Sequence, residues 1–138
     1  MNARLVFFTV LLLIFRIASG QVPDSLKYIS VGPAEFQKAF QSDSNAVLID
    51  VREFFEYKKS RIDHAANIPS SSDLNVPADT LNKESSLFFY CSSGFRSKRV
   101  AKHFYDMGFF KLYSLDGGIN AWKKEGLSVN KKKIKKSH

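Results

Sequence analysis

The chain has 138 residues, of which 44% are hydrophobic, and this suits one compact domain with short additional segments. Its formal net charge is +8. A single cysteine excludes an internal disulfide and a zinc site built from several cysteines. The chain also lacks the GxxxxGK[ST] pattern of a phosphate-binding loop.

Residues 1–20 have the pattern of a secretory signal peptide. Arg4 supplies positive charge, residues 5–15 form an apolar run, and small residues at 18–20 precede the expected cleavage point. Arg16 ends the apolar run well before the length of about 20 residues that spans a membrane. We therefore expect an exported protein with no stable membrane span after cleavage. Secretion and an uncleaved membrane anchor are the alternatives.

The positive charge is concentrated at the C-terminus. From residue 21 onward the chain has 19 basic and 13 acidic residues, and five of the lysines lie among the last eight residues. The predicted domain, residues 21–129, is therefore close to neutral. We interpret residues 130–138 as a solvated, disordered, lysine-rich tail and expect no nucleic-acid partner. Binding of the tail to nucleic acid or to a membrane surface is the alternative.

Strand and helix patterns alternate through the first half of the domain. Residues 27–30 predict a short strand, and Pro33 is placed to open a helix at its first position. Residues 46–51 form a nearly continuous apolar run, which is typical of a strand covered on both faces. A short amphipathic helix is predicted over residues 53–59 and a brief strand over residues 65–68.

The second half continues the alternation after a polar interruption. Serines and prolines predict a surface loop over residues 69–80. An apolar strand over residues 86–90 leads to the cysteine, and helical periodicity follows over residues 97–107. A last strand is predicted over residues 111–115, and a glycine turn then begins a helix that ends near Gly126.

Strands separated by helices predict an open, parallel α/β sheet with helices on both faces. Ligands of such sheets bind beyond the carboxyl ends of the strands. Three segments with polar or glycine residues fall there: Asp50 to Arg52, the loop that starts at Cys91, and Asp116 to Gly118. We expect a functional site where they meet.

Cys91 is the candidate reactive group. It lies where a strand turns into a helix, and there unpaired N–H groups and the helix dipole favour an anion. Such a setting lowers the pKa of a thiol from about 8.5. The small neighbours Ser92 and Ser93, together with Gly94, which can adopt positive φ, let consecutive N–H groups point at the sulfur. Burial as an inert apolar side chain is the alternative for a lone cysteine; we expect a displayed, reactive thiolate.

The other candidate residues surround that loop. Phe95, Arg96 and Ser97 complete it, and the Arg96 guanidinium either contacts an anionic substrate or holds the loop through a salt bridge. Asp50 and Arg52 are expected to cap the short helix near residue 53 and to brace the loop, although Arg52 also has the length to reach an anionic donor. The glycines of the later turn, Gly117 and Gly118, are expected to allow a tight turn against the cysteine loop, and Trp122 to lie in the core.

Several spaced motifs together resemble the single-domain rhodanese family of sulfurtransferases. The carboxyl-terminal motifs are Cys91-x-x-Gly94-x-Arg96-Ser97, Gly108-Phe109 and Leu115-Asp116-Gly117-Gly118-Ile119-x-x-Trp122. The earlier ones are Leu48-Ile49-Asp50-Val51-Arg52-Glu53, Glu56-Tyr57 and Ala65-Ala66-Asn67-Ile68-Pro69. The resemblance extends from about Tyr28 to Leu127.

The resemblance implies a three-layer rhodanese-like fold with a five-stranded parallel sheet. It also implies that Cys91 takes a sulfane sulfur from thiosulfate or a persulfide and passes it, as a persulfide, to cyanide or a thiol. No cofactor and no metal are expected, and an exported thiol protein is a further candidate partner. The habits of the family, and not residues of this chain, favour the periplasm as its compartment. Where many members read Gly-His-Ile, this chain has Ser60-Arg61-Ile62, so we assign no role to the nearby His64.

Three other functions are weighed against sulfur transfer. Related cysteine phosphatases have five residues between the cysteine and the arginine, whereas this chain has four, and the smaller loop suits one sulfur atom better than a tetrahedral phosphate. A rhodanese-like module that carries or senses a persulfide, or docks a partner, without turnover is the main alternative. An interaction protein acting through the basic tail would tolerate Cys91→Ser, whereas the sulfurtransferase and the persulfide module would not.

Overall fold

The computed structural model describes residues 20–134. All but Gly20 of the predicted signal peptide, residues 1–20, and residues 135–138 of the predicted tail lie outside this range. The signal peptide, its cleavage and the exported location therefore stay predictions. Within the described range, no helix is both long and apolar enough to cross a membrane.

Eleven elements alternate along residues 20–134. The helices are α1 (Asp24–Lys27), α2 (Pro33–Ser42), α3 (Phe54–Lys59), α4 (Asn75–Thr80), α5 (Phe95–Asp106) and α6 (Gly118–Lys124). The strands are β1 (Ile29–Val31), β2 (Ala46–Asp50), β3 (Ala66–Asn67), β4 (Ser86–Tyr90) and β5 (Leu112–Leu115). All neighbouring strands are parallel, in the order β1-β5-β4-β2-β3. The predicted five-stranded parallel α/β sheet is confirmed.

The sheet is the middle layer of three. Successive side chains of a strand point to opposite faces, so the fully buried β4 contributes to both sides of the core. Leu87 and Phe89 pack on the side of α4 and α5, whereas Phe88 and Tyr90 pack on the side of α2 and α6. This two-sided burial explains why the strand reads as an uninterrupted apolar run.

Two helical segments differ from the sequence-based expectation. Residues 69–80, expected to be a surface loop, contain α4, and Pro77 is its third residue. A helix leaves its first N–H groups without intrahelical partners, so a proline there removes no hydrogen bond. The buried Ala78 anchors α4 on the core. In addition, α5 begins at Phe95, two residues before the predicted start, which places Arg96 in its first turn.

The carboxyl ends of β2, β4 and β5 form one edge of the sheet. The register pairs Asp50 of β2 with Tyr90 of β4, and β4 in turn pairs with β5. The cysteine loop therefore lies between the segment after Asp50 and the glycine turn after Leu115. The sheet brings together the three segments that the sequence singled out.

A buried ion pair lies at this edge. Asp50 is fully buried and Arg52 is 4% exposed. The Arg52 guanidinium donates to both Asp50 carboxylate oxygens, at 2.6 to 3.1 Å, and to the carbonyl oxygen of Ser60 at 2.6 Å. Burial lowers the pKa of Arg52, but the adjacent Asp50 carboxylate outweighs this and raises the pKa overall.

The expectation that Asp50 caps the short helix is wrong, whereas its bracing role is present. Glu53, and not Asp50, is the N-cap of α3, in a reciprocal capping box with Glu56. Asp50 is instead held by Arg52, whose own backbone N–H also donates to it at 2.9 Å. The pair therefore connects the end of β2 to Ser60, the C-cap residue of α3, and braces the segment between them.

Replacement of Arg52 by alanine is expected to lower the free energy of unfolding by about 3–5 kcal/mol, because it leaves the Asp50 carboxylate buried and unpaired. Urea denaturation followed by circular dichroism measures this. A double variant, Asp50→Leu with Arg52→Met, should lose less, since no uncompensated charge remains. A loss below about 1 kcal/mol for Arg52→Ala would contradict the bracing role.

Candidate active site

Cys91 directly follows β4, and its loop leads into the first turn of α5. Gly94, at φ +96°, adopts the left-handed conformation and is the N-cap of α5, which no side chain caps. The backbone N–H of Gly94 donates to Cys91 Sγ at 3.1 Å. The sulfur thus lies where an anionic cap of the helix would lie.

The carbonyls of Cys91 and Ser92, the first two residues of the loop, are bound by α6. The N–H of Ile119 donates to the Cys91 carbonyl at 2.9 Å, and the N–H of Asn120 donates to the Ser92 carbonyl at 3.1 Å. This requires close approach of Gly118, since a Cβ there would lie 2.5 Å from the Cys91 carbonyl oxygen. The predicted contact of the glycine turn with the cysteine loop is present, and it fixes the direction of the loop dipoles.

The polarity of the loop lowers the pKa of Cys91. Burial by itself raises the pKa of the thiol, but the N–H groups of Ser97, Ser93 and Gly94 and the Ser97 hydroxyl together hold it below its ordinary value. The Ser97 hydroxyl lies 3.7 Å from the sulfur and 2.9 Å from the Ser114 hydroxyl. The loop therefore favours the thiolate through backbone hydrogen bonds.

The expectation of a displayed thiol is wrong for this structure. Cys91 is 1% exposed and belongs to the apolar cluster that includes Phe89 and Phe104. The reason is strand alternation, because Cys91 continues the face of Leu87 and Phe89. The sulfur is therefore both buried and surrounded by hydrogen-bond donors.

A carboxylate that the sequence analysis did not select organises the polar side of the loop. Glu56 of α3 accepts from the two terminal nitrogens of Arg96 at 2.8 and 3.0 Å and from the Ser92 hydroxyl at 3.0 Å. Arg96 also donates to the Ser92 hydroxyl at 3.0 Å. Of the two roles considered for Arg96, this structure shows the salt bridge.

The electrostatics of this ion pair are mutual. The Arg96 guanidinium is the main reason why the pKa of Glu56 falls to about 2. Glu56 in turn is the main cause of the raised pKa of Arg96, and the nearby Cys91 raises it further. The sequence signal for Glu56 is its place in the Glu56-Tyr57 motif, as the third residue of the helix that follows a strand at this edge.

The remaining candidate residues divide into two groups. Ser93 and Phe95 are exposed residues of the loop, and the exposed fraction of Phe95 is 70%. Asp50 and Arg52 pair with each other at the same edge, and Arg52 makes no hydrogen bond to the cysteine loop within the described residues. Trp122 is a core residue, as expected. Across residues 20–134, no group of three or more His, Cys, Asp or Glu residues is arranged to hold a metal ion.

This chain is similar in sequence to a known domain family and to several named proteins. The family profile described as "Rhodanese-like domain" matches residues 32–125. The protein named "Putative sulfurtransferase YtwF" from Bacillus subtilis is 34% identical over 95 residues, covering 69% of this chain and 90% of its own length. "Thiosulfate sulfurtransferase GlpE" from Coxiella burnetii is 35% identical over 77 residues, covering 56% of this chain and 71% of its own.

A solved structure supports the same assignment. The crystal structure of a rhodanese-related protein from Thermoplasma volcanium matches with a TM-score of 0.64 at 27% identity. The match covers 76% of this chain and 100% of that one. The likeness therefore extends through the three-layer fold and is not confined to the cysteine motif.

Substitution of Gly118 by alanine is expected to displace the cysteine loop, because the new Cβ meets the backbone of Cys91 and Ser92. Gly126→Ala is the matched control, since Gly126 also has positive φ, +77°, but nothing lies within 4 Å of its Cβ position. Denaturant titration should show that Gly118→Ala loses about 1–3 kcal/mol more than Gly126→Ala. Equal losses would mean that the close approach does not matter.

The lowered pKa of Cys91 should be detectable in the pH dependence of its alkylation. Because the loop lowers the pKa of Cys91, the rate of alkylation by iodoacetamide should rise with pH at a midpoint below that of a free thiol, about 8.5. Ser97→Ala should move the midpoint to higher pH and reduce the rate at pH 6.5 by roughly two- to tenfold, since it removes one stabilising hydrogen bond.

Ser93→Ala is the control for this measurement, because it keeps the backbone N–H and removes a hydroxyl on an exposed residue. Its midpoint should equal that of the wild-type protein. The 1% exposure of Cys91 slows the absolute rate at every pH, so the midpoint, and not the rate, is compared with that of a free thiol. An ordinary thiol midpoint in the wild-type protein would refute the role of the amides.

Proposed function

This chain belongs to the rhodanese-like domain family, and we propose that it is a sulfurtransferase that carries a sulfane sulfur as a persulfide on Cys91. Sulfur transfer in general is supported by the family and by relatives that are named sulfurtransferases. The observation that carries the finer proposal is the hydrogen bond from the Gly94 N–H to Cys91 Sγ, within a loop whose carbonyls are bound elsewhere.

The first step loads the sulfur. The Cys91 thiolate attacks the sulfane sulfur of thiosulfate and forms a new S–S bond. The original S–S bond breaks, and sulfite leaves with its electron pair. The resulting persulfide anion lies at the start of α5, where N–H groups stabilise negative charge without any cofactor.

The second step returns the enzyme to its starting state. A nucleophilic acceptor, cyanide or a thiolate, attacks the terminal sulfur of the persulfide. The bond to Cys91 Sγ breaks, and the cysteine leaves as the thiolate that the loop already favours. The product is thiocyanate or a new persulfide, and neither an external oxidant nor a reductant is needed.

The Glu56–Arg96 pair controls access of anions in this proposal. An anionic donor benefits from Arg96 only when it displaces or shares the contact with Glu56. Since the sulfur is 1% exposed, the loading step also requires local movement of the loop or of the side chains over it. The ion pair is part of the surface that has to open.

A persulfide carrier or sensor without turnover is the second candidate. Two observations favour it: the buried sulfur restricts access, and the charge of Arg96 is already compensated. Such a module would take up sulfur on Cys91 but release it only slowly to small nucleophiles. The two candidates therefore share the first step and differ in the second.

Thiosulfate should add the mass of one sulfur atom to the purified protein, as measured by intact mass spectrometry. Addition of cyanide should remove that mass and yield thiocyanate over repeated cycles, because the thiolate is a good leaving group. Cys91→Ser should gain no sulfur, whereas Ser93→Ala, which keeps the reactive group and the loop backbone, should behave as the wild-type protein.

The outcomes of this experiment separate the candidates. Loading with rapid release supports the sulfurtransferase. Loading without repeated release supports the carrier. No gain of sulfur on Cys91 from thiosulfate or from polysulfide would refute both.

A further inference from the structure

Positive charge is concentrated in one part of the folded chain, outside the cysteine loop. Four of the 21 lysines and arginines lie outside residues 20–134, so this range has 17 basic and 13 acidic residues. Three short segments, residues 58–63, 123–125 and 131–133, contain eight of the basic residues and two of the acidic ones, a net charge of +6. The rest of the range has nine basic and 11 acidic residues and is therefore slightly negative.

The fold brings these three segments together. The Lys123 ammonium group at the end of α6 donates to the Ser60 hydroxyl at 3.2 Å. Arg61 and Asn130 exchange two backbone hydrogen bonds, at 2.7 and 3.0 Å, in an antiparallel bridge. The Arg61 guanidinium also donates to the carbonyl oxygen of Lys132 at 3.2 Å. We call the resulting area the basic surface, and its cations are Lys58, Lys59, Arg61, Lys123, Lys124, Lys131, Lys132 and Lys133.

The charges of the basic surface are not balanced by the part of the chain that the structure describes. Among residues 20–134, none of its eight cations has a carboxylate oxygen within 4 Å, whereas Lys98 and Lys102 of α5 each have one. Asp63, one of the two acidic residues in these segments, accepts from the Asn130 amide at 2.9 Å. The seven lysines are all exposed.

Compensation of helix dipoles explains only half of these cations. Two of the lysines lie in the last turn of α3 and two in the last turn of α6, where positive charge is favourable. Arg61 and the lysines at 131–133 lie outside the helices. Like charges gathered on one surface repel one another, and a negatively charged partner that covers them relieves this repulsion.

The composition of the basic surface favours an anionic membrane over a nucleic acid as that partner. Seven of its eight cations are lysines, which act as hydrated point charges, whereas directed recognition of nucleic-acid phosphates typically uses the planar fork of arginine. The guanidinium of its one arginine, Arg61, already lies over the Tyr57 ring, 5.3 Å from the ring centroid, and bonds to a backbone carbonyl.

Exposed apolar side chains lie beside the lysines. Phe55 is 66% exposed, and Lys58 and Lys59 follow it by three and four positions on α3, so the three share one side of the helix. Ile134 is 40% exposed and directly follows the lysines at 131–133. Apolar side chains next to a cluster of lysines are typical of surfaces that bind the headgroup region of an anionic bilayer.

We propose that the basic surface binds this protein peripherally to an anionic lipid bilayer, with its lysines at the headgroups and with Phe55 and Ile134 at the interface. Such attraction acts over a Debye length, about 10 Å at 0.1 M salt, and weakens as the salt concentration rises. The binding does not use Cys91. Because α3 also carries Glu56, which bonds to Arg96, a bilayer on the basic surface lies on the side of the domain that holds the polar edge of the cysteine loop.

Vesicle flotation tests the proposal. The protein begins at residue 20, because the apolar run of residues 5–15 would itself bind lipid and both core clusters are formed by later residues. At about 0.1 M salt it should bind vesicles of phosphatidylglycerol mixed with phosphatidylcholine, and not vesicles of phosphatidylcholine alone. At about 0.5 M salt the affinity should fall by roughly tenfold or more. Absence of binding to the anionic vesicles at the lower salt concentration refutes the proposal.

A triple substitution tests whether the folded part of the surface takes part. It neutralises two lysines at the end of α3 and one at the end of α6 and leaves residues 130–138 unchanged: Lys58→Gln, Lys59→Gln and Lys124→Gln. The affinity for anionic vesicles should fall by about tenfold or more, because each lysine close to the bilayer adds to the attraction. Binding equal to that of the wild-type protein would mean that the tail acts alone, and the proposal would be wrong.

The matched control removes the same charge from exposed positions outside the basic surface: Lys83→Gln, Arg99→Gln and Lys111→Gln. Its affinity should stay within about threefold of the wild-type value. Circular dichroism checks that both triple variants are folded, and the order of affinities should be the same in the full chain. If the control loses as much affinity as the other variant, net charge and not the basic surface explains the binding, which overturns the proposal.

Two further measurements need no change in the basic surface. Lipids with spin-labelled headgroups should broaden the NMR signals of the ends of α3 and α6 and of residues 131–133 more than those of α5, and uniform broadening would contradict the proposal. Duplex DNA that binds more tightly than anionic vesicles at the same salt concentration would replace the membrane by a nucleic acid. Cys91→Ser should bind vesicles as the wild-type protein does, so a failure of sulfur loading leaves this proposal intact.

Discussion

The direction of the backbone dipoles in the cysteine loop is the constraint on which the site depends. The N–H groups of Ile119 and Asn120 bind the carbonyls of Cys91 and Ser92, and the loop N–H groups are thereby left to face the sulfur. A buried thiolate without such donors would be costly, since burial disfavours the charged form. The thiolate is stabilised only if the backbone of Gly118 approaches the loop closely, and a side chain at that position would prevent this approach.

The same arrangement explains how the sulfur is both buried and ionisable. Cys91 continues the inward face of β4, so its exposure is 1%. Its charge is compensated by donors of the helix start and not by solvent. On the outer side, Glu56 compensates the charge of Arg96 and accepts a hydrogen bond from the Ser92 hydroxyl. These polar side chains of the loop therefore bond to Glu56. Reactivity therefore depends on local opening as much as on the pKa of the thiol.

Much of the fold was predictable because its signals are local. The apolar run of β4 and the proline that opens α2 set the element types, and the alternation of strands with helices then implied a parallel sheet. The errors arose where a local signal was overridden. Pro77 by itself favours a loop, but a first-turn proline is compatible with α4, and packing of Ala78 stabilises that helix.

The residues alone indicate that one cysteine lies between a strand and a helix, that four residues separate it from an arginine, and that later glycines are able to approach it. Contacts between distant segments depend on the fold: Glu56, 40 residues before Arg96, is that arginine's partner, and Ser70 and Leu74 form a groove with α5. The physical reason is that such contacts depend on the strand order β1-β5-β4-β2-β3, which brings distant segments to one edge of the sheet. Local propensity carries no information about which charged side chains meet there.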